Sequence, residues 1–117
     1  MQTDSSPATT PQPYYYAVAS QKFFAGEPLE EVLKERHRNY QEQGKTIDFW
    51  LVPEPAFLNA PALQSVRNTC PQPAVAIIST NKQFITWIKL RLEHVLTGEF
   101  TAPSDQIPDP IASLAAA

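Results

Sequence analysis

The chain has 117 residues, 43% apolar and 18% charged, with a formal net charge of −3. That balance fits one folded domain with a single modest core and excludes a disordered polyelectrolyte. Lys34, Arg36 and Arg38 are interleaved with Glu30, Glu31 and Glu35, the pattern of a solvated helix face, so nucleic acid is not an expected partner.

The opening MQTDSSPATTPQP has neither the apolar segment of a secretory signal nor the arginines of a transit peptide. Residues 1–12 are expected to form a flexible polar leader, 13–102 the α/β core domain and 103–117 an extended Pro/Ala-rich tail, with Ile111 and Leu114 as candidates to dock on the body. No apolar run approaches the ~18–20 residues needed to cross a bilayer.

In chain order, Tyr14–Ser20 (YYYAVAS) reads as a strand with Tyr14, Tyr16 and Val18 on one face. A helix follows, with Pro28 near its first position and Gly44 as terminator. Its inner stripe is Leu29, Val32, Leu33, Arg36 and Tyr40, and Glu30–Lys34 is a supporting i,i+4 pair. Ile47–Val52 (IDFWLV) is a second strand, with Phe49 and Trp50 on opposite faces. A shorter helical stretch lies between Pro55 and Arg67.

Cys70-Pro71-Gln72-Pro73 reads as a turn carrying a packed thiol. As the chain's one cysteine, Cys70 rules out an internal disulfide and a multi-cysteine zinc site and points to a reducing compartment. Ala74–Thr80 (AVAIIST) is apolar on both faces, as an interior strand should be. The third helix opens at the cap candidates Ser79, Thr80 and Asn81 and is expected to run to Gly98. Phe84, Ile85, Ile88, Leu92, Val95 and Leu96 form its apolar arc. The βαβαβα order with long connections favours crossovers and some parallel pairing, in a small α+β domain whose sheet is flanked by helices.

The search for chemistry is mostly negative. Three glycines build no phosphate-cradling loop. His37 and His94 have Lys34 and Arg91 three residues before them, not the Glu of a di-iron helix signature. Asp48 and Glu54 bracket the second strand and suggest an acid/base pair only weakly. No catalytic residue, cofactor or metal site is assigned.

Two features remain. Asp48-Phe49-Trp50 sets an aromatic on each face beside a carboxylate. Trp87, Arg91 and His94 follow i, i+4, i+7 along the edge of the third helix's apolar arc. Trp and Arg at such a margin are typical of binding hot spots. Alternatively Arg91 snorkels over the core, or pairs with Asp48 to hold helix against sheet.

Five ordered blocks, YYYAVASQKFF, PLEEVLKER, IDFWLVPEPAFL, CPQPAVAIISTN and FITWIKLRLEHVLTGEF, closely resemble the hypothetical chloroplast reading frame fifty-four family of cyanobacteria and chloroplasts. The resemblance implies a four-stranded antiparallel sheet, although no fourth strand is evident in the pattern. It implies an accessory protein without catalytic machinery, which binds the di-iron oxygenase subunit of the magnesium-protoporphyrin IX monomethyl ester cyclase in chlorophyll biosynthesis. It extends to other enzymes of that synthesis as partners, and to a cytoplasmic or stromal setting at the thylakoid membrane, reached through the partner. The family's Asp-Phe pair and helix arginine match Asp48, Phe49 and Arg91, and helical spacing adds Trp87 and His94 to the same partner-binding patch. A rival reading is a tetrapyrrole carrier, with a pocket lined by Tyr14, Tyr16, Trp50 and Trp87 and with His94 facing the magnesium.

Overall fold

A computed structural model describes residues 10–27 and 29–114. Residues 1–9 of the expected leader, Pro28 at the expected helix start and the last three alanines lie outside the described residues.

The elements run β1 (Gln12–Ser20), α1 (Gln21–Ala25), α2 (Leu29–Gln43), β2 (Phe49–Pro53), two short 3-10 turns (Ala56–Asn59 and Pro61–Leu63), α3 (Gln64–Thr69), β3 (Ala74–Ser79), α4 (Lys82–Leu92) and β4 (Leu96–Ala102). The four strands form one sheet in the order β2-β3-β1-β4. Every hydrogen-bonded pair in it is antiparallel.

The expected parallel pairing is therefore not there, although the crossovers that suggested it are. β1 and β2 point the same way and so do β3 and β4, but β3 lies between the first two and β1 between the second two. This is the interleaved split β-α-β arrangement of ferredoxin-like folds. Chain order cannot reveal an inserted strand, so the inference from long connections failed at that step.

The fourth strand begins inside the predicted third helix. That helix stops at Leu92 rather than Gly98, and Leu96–Ala102 pairs with the outer edge of β1 from Gln12 to Val18. Glu93 adopts φ +62° and ψ −45°, and the His94 N–H donates to the Leu92 carbonyl at 2.6 Å. This is a γ-turn, a conformation unfavourable for a residue with a Cβ. Lys89 Nζ donates to the carbonyls of Glu93 and Val95 at 2.7 and 2.8 Å, which holds the reversal in place.

Both faces of the sheet are covered. Tyr14, Tyr16 and Val18 of β1 join Val52, Ala76 and Ile78 against the 3-10 turns, with Ile107 buried from the tail and Ile111 packed at the margin. The opposite face, with Ala17, Ala19, Phe49, Val75 and Ile77, packs on α2 and α4 through Leu29, Leu33, Tyr40, Phe84, Ile85 and Ile88. β3 is buried at all six positions, as its two-sided apolar pattern predicts. The tail runs along the end of β2, where Pro55 bridges Ser113 and the Leu114 N–H donates to the Glu54 carbonyl at 2.8 Å; Leu114 itself stays exposed.

α2 ends as Gly44 predicts. Gly44 takes φ +70°, its N–H donates to Gln41 and the Lys45 N–H reaches back to Tyr40 at 2.9 Å, the paired bonds of a Schellman cap. On the outer side of this helix the ion pair is Arg38–Glu35 at 2.8 Å; Glu30 and Lys34 form none among the described residues. α4 opens at Asn81, whose side chain accepts from the N–H groups of Gln83 and Phe84. α1 was not foreseen; Ser20 caps it by accepting from the Phe23 N–H at 3.1 Å.

Candidate functional site

Asp48 is positioned by a buried hydroxyl. Ser79 is fully buried at the end of β3; its Oγ donates to the Asp48 carbonyl at 2.8 Å and accepts from the Asn81 N–H at 2.9 Å. The Thr80 N–H donates to the same carbonyl at 3.1 Å. One serine thus ties the start of β2 to the start of α4. With its carbonyl fixed, the Asp48 carboxylate faces α2, where Oδ1 accepts from the Tyr40 hydroxyl at 3.0 Å.

Arg36 is the other partner of that hydroxyl, donating from Nη2 to Tyr40 Oη at 2.9 Å. Its guanidinium carbon lies 3.9 Å from the Phe84 ring centroid and 5.3 Å from that of Phe49. Arg36 Nε is enclosed without an acceptor among the described residues. Burial of Tyr40, then its bond to Asp48 and the charge of that carboxylate, raise the phenol's pKa above its ordinary value; Arg36 pulls the other way. The phenol stays neutral near pH 7 and relays between arginine and aspartate.

Phe49 is buried at 5% exposure, with its ring edge-on to Tyr40 and Phe84 at 5.4 and 5.6 Å. Phe84 in turn stacks on Trp87 at 6.2 Å and 15°. Trp87 is 43% exposed, and Arg91, on the surface, lies with its guanidinium carbon 5.3 Å from the indole. A continuous contact chain therefore runs Asp48, Tyr40, Arg36, Phe84, Trp87, Arg91.

Three of the five residues picked from the sequence, Asp48, Trp87 and Arg91, are linked by this chain and a fourth, Phe49, packs against it, in a way the sequence did not suggest. Asp48 and Arg91 make no ion pair among the described residues; Tyr40 takes the aspartate and Trp87 the arginine. Phe49 acts from beneath, as the ring on which the surface rests. His94 departs from the patch because α4 ends before it. It is exposed and meets Phe23 edge-on at 6.2 Å, so the i+7 spacing that joined it to Trp87 does not exist.

The residues missed are Arg36 and Tyr40. Their signal was present, since an arginine falls within the apolar stripe of α2, four residues before a tyrosine. Reading the Lys34–Arg38 run as a solvated face concealed it.

Of the four aromatic side chains of the carrier reading, Tyr14, Tyr16 and Trp50 share one side of the sheet, with Tyr14 and Trp50 6.3 Å apart, and Trp87 does not join them. Tyr14 and Tyr16 are buried at 0% and 3% exposure and pack on Phe100 and Phe57 in the layer of the 3-10 turns. Trp87 stands on the other side of the sheet, and His94 faces Phe23. Side chains that fill a core leave no slot for a macrocycle. Asp48 and Glu54 stand at opposite ends of β2, about 20 Å apart at strand rise, and form no acid/base pair. No group of three His, Cys, Asp or Glu among the described residues could hold a metal ion. No described helix is long and apolar enough to cross a membrane.

Comparison with known proteins places this architecture. A family model described as Ycf54 protein matches residues 12–102. A Ycf54-like protein of Synechocystis sp. is 67% identical over 102 residues, covering 86% of this chain and 77% of its own. The chloroplastic protein YCF54 of Arabidopsis thaliana is 45% identical over 95 residues, covering 78% of this chain and 43% of its own. The crystal structure of a protein from Nostoc sp. PCC 7120, 65% identical, superposes with a TM-score of 0.88 over 91% of this chain and 99% of that one.

Proposed function

The chain belongs to the Ycf54 family, and from that premise we propose that it is a non-catalytic accessory protein of the magnesium-protoporphyrin IX monomethyl ester cyclase. It binds the di-iron oxygenase subunit and supports closure of the isocyclic ring in chlorophyll synthesis. It reaches the thylakoid surface through that partner and meets other enzymes of the synthesis there. The resemblance of its five sequence blocks supports the activity assigned. One structural observation supports a binding role: Trp87, 43% exposed and stacked between Phe84 and Arg91, is a large apolar ring held ready at the surface. Asp48, Phe49 and Arg36 make its setting rigid, so a partner meets a preorganised surface.

The test is capture of the oxygenase subunit by the tagged protein, wild type beside Arg91→Ala, with melting curves for both. Arg91 is exposed, and its contact with Trp87 contributes about 0.5–1 kcal/mol to the fold. The melting point should therefore change little while capture falls. Equal capture by both proteins would remove Arg91 from the interface. No oxygenase in either lane would refute the proposed function.

A further inference from the structure

The face that carries Trp87 runs against the charge of the chain. Overall the formal charge is −3, yet Arg36, Lys45 and Arg91 all lie against aromatic rings here, and the Asp48 carboxylate reaches them through Tyr40. Asp48 is engaged by Tyr40. Glu35, next to Arg36 on α2, is engaged by Arg38 on the outer side. Arg36 and Arg91 have no carboxylate partner among the described residues.

The chemistry of a stacked guanidinium sharpens this. Arg36 lies over Phe84 at 3.9 Å, with Nη2 given to Tyr40 and Nε enclosed and lacking an acceptor, so one side is stripped of water while Nη1 is left to meet an oxygen from outside. A planar, weakly hydrated fork of this kind matches a carboxylate better than any neutral group. Beside it is a groove of about 320 Å³ lined by Val32, Arg36, Asn81, Gln83, Phe84 and Trp87. Its volume suits one or two side chains, its walls are partly apolar, and Arg91 stands beyond Trp87.

We propose that this groove receives a carboxylate side chain from an acidic segment of the partner protein, which meets Arg36 while Arg91 closes over it from the face of Trp87. This deepens the proposed function and rests on the reading that a protein partner covers this face. The indole excludes water from the contact, and the two guanidiniums supply the charge, so Arg36 and Arg91 select the partner by sign.

Two arms test it. In the first, the purified full-length protein is titrated with a synthetic peptide rich in Glu and Leu, and with the same peptide carrying Gln for Glu. The readouts are the Trp87 indole and Arg36 Nε–H signals in NMR spectra. The Glu peptide should shift both signals and bind at least about tenfold more tightly than the Gln peptide; equal shifts, or none, would overturn the inference. In the second, affinity for the oxygenase subunit is measured against salt for Arg91→Gln and Arg91→Glu. The Glu variant should bind about tenfold more weakly than the Gln variant, and wild-type binding should weaken as salt rises.

Equal affinities without salt dependence would overturn the acidic-partner inference and leave the proposed function standing. A response to the Glu peptide without oxygenase binding would refute the proposed function and leave the groove chemistry standing. Arg91-dependent capture by phosphatidylglycerol vesicles in place of the Glu peptide would overturn the inference in favour of a membrane surface.

Discussion

Gly98 gives the sharpest mechanical prediction. It pairs with Tyr16 across β1 and β4, and a Cβ built on it would collide with the tyrosine hydroxyl, 2.7 Å from Cζ and 3.2 Å from Cε2. The ring has no free space to move into, being 3% exposed and flanked by Phe57 at 5.2 Å and Phe100 at 6.1 Å. Gly98→Ala must therefore push a packed aromatic cluster or pull β4 away from β1. Overpacking of this kind costs about 1–3 kcal/mol, which for a domain of this size lowers the melting temperature by about 5–15 °C. Circular dichroism melts of wild type, Gly98→Ala, Tyr16→Leu and the double variant would measure it. The double variant should be more stable than the sum of the single losses predicts, since a smaller side chain vacates the space the new methyl needs. A melting point for Gly98→Ala within about 2 °C of wild type would refute the reasoning, and with it the placement of Tyr16 over Gly98.

Other expectations follow from the same structure. Glu93→Gly should stabilise the fold by about 0.5–1 kcal/mol, because φ +62° no longer opposes a side chain; the bonds from Lys89 end on backbone carbonyls and survive, and a urea midpoint moving downward would contradict this. Ser79→Ala should cost about 1–2 kcal/mol in chemical denaturation, since it strips the buried bonds that join Asp48 to the start of α4. Burial raises the pKa of Tyr16, Tyr40 and Cys70 above 10.0, 10.0 and 9.0, so the folded chain holds these protons more tightly than the unfolded one. Their stabilisation is complete below the unfolded values and is lost as pH rises past about 9 and then 10 toward the folded values. Urea midpoints followed into the alkaline range should fall there, and less steeply in Tyr40→Phe. Cys70, 4% exposed, should resist iodoacetamide in the native protein and react quickly in denaturant.

Legibility of the sequence depended on the range of the interaction that decided each feature. β3 was plain because an apolar run between turn residues is local. The C-terminal end of α2 was plain because Gly44 sets its own backbone. The end of α4 was not, because Leu92 to Phe100 keeps a helical spacing of apolar residues. What stops the helix is the gain from pairing Leu96–Ala102 with β1, some eighty residues away in the chain, at the expense of a strained Glu93. Gly98 looked like a helix terminator and is instead the space beneath Tyr16.

The candidate site divides along the same line. Composition and local pattern by themselves determined one domain, two aromatic-and-charged segments and an arginine out of place beside Trp87. They could not say which charge meets which. That was decided when the sheet brought α2, the start of β2 and α4 together, so that Tyr40 took Asp48, Arg36 took the rings of Phe84 and Phe49, and Arg91 was left on Trp87 facing outward. A side chain's partner is fixed by what the tertiary packing sets within reach, and a half-buried carboxylate already held by a phenol of α2 does not meet an arginine on the outer face of another helix.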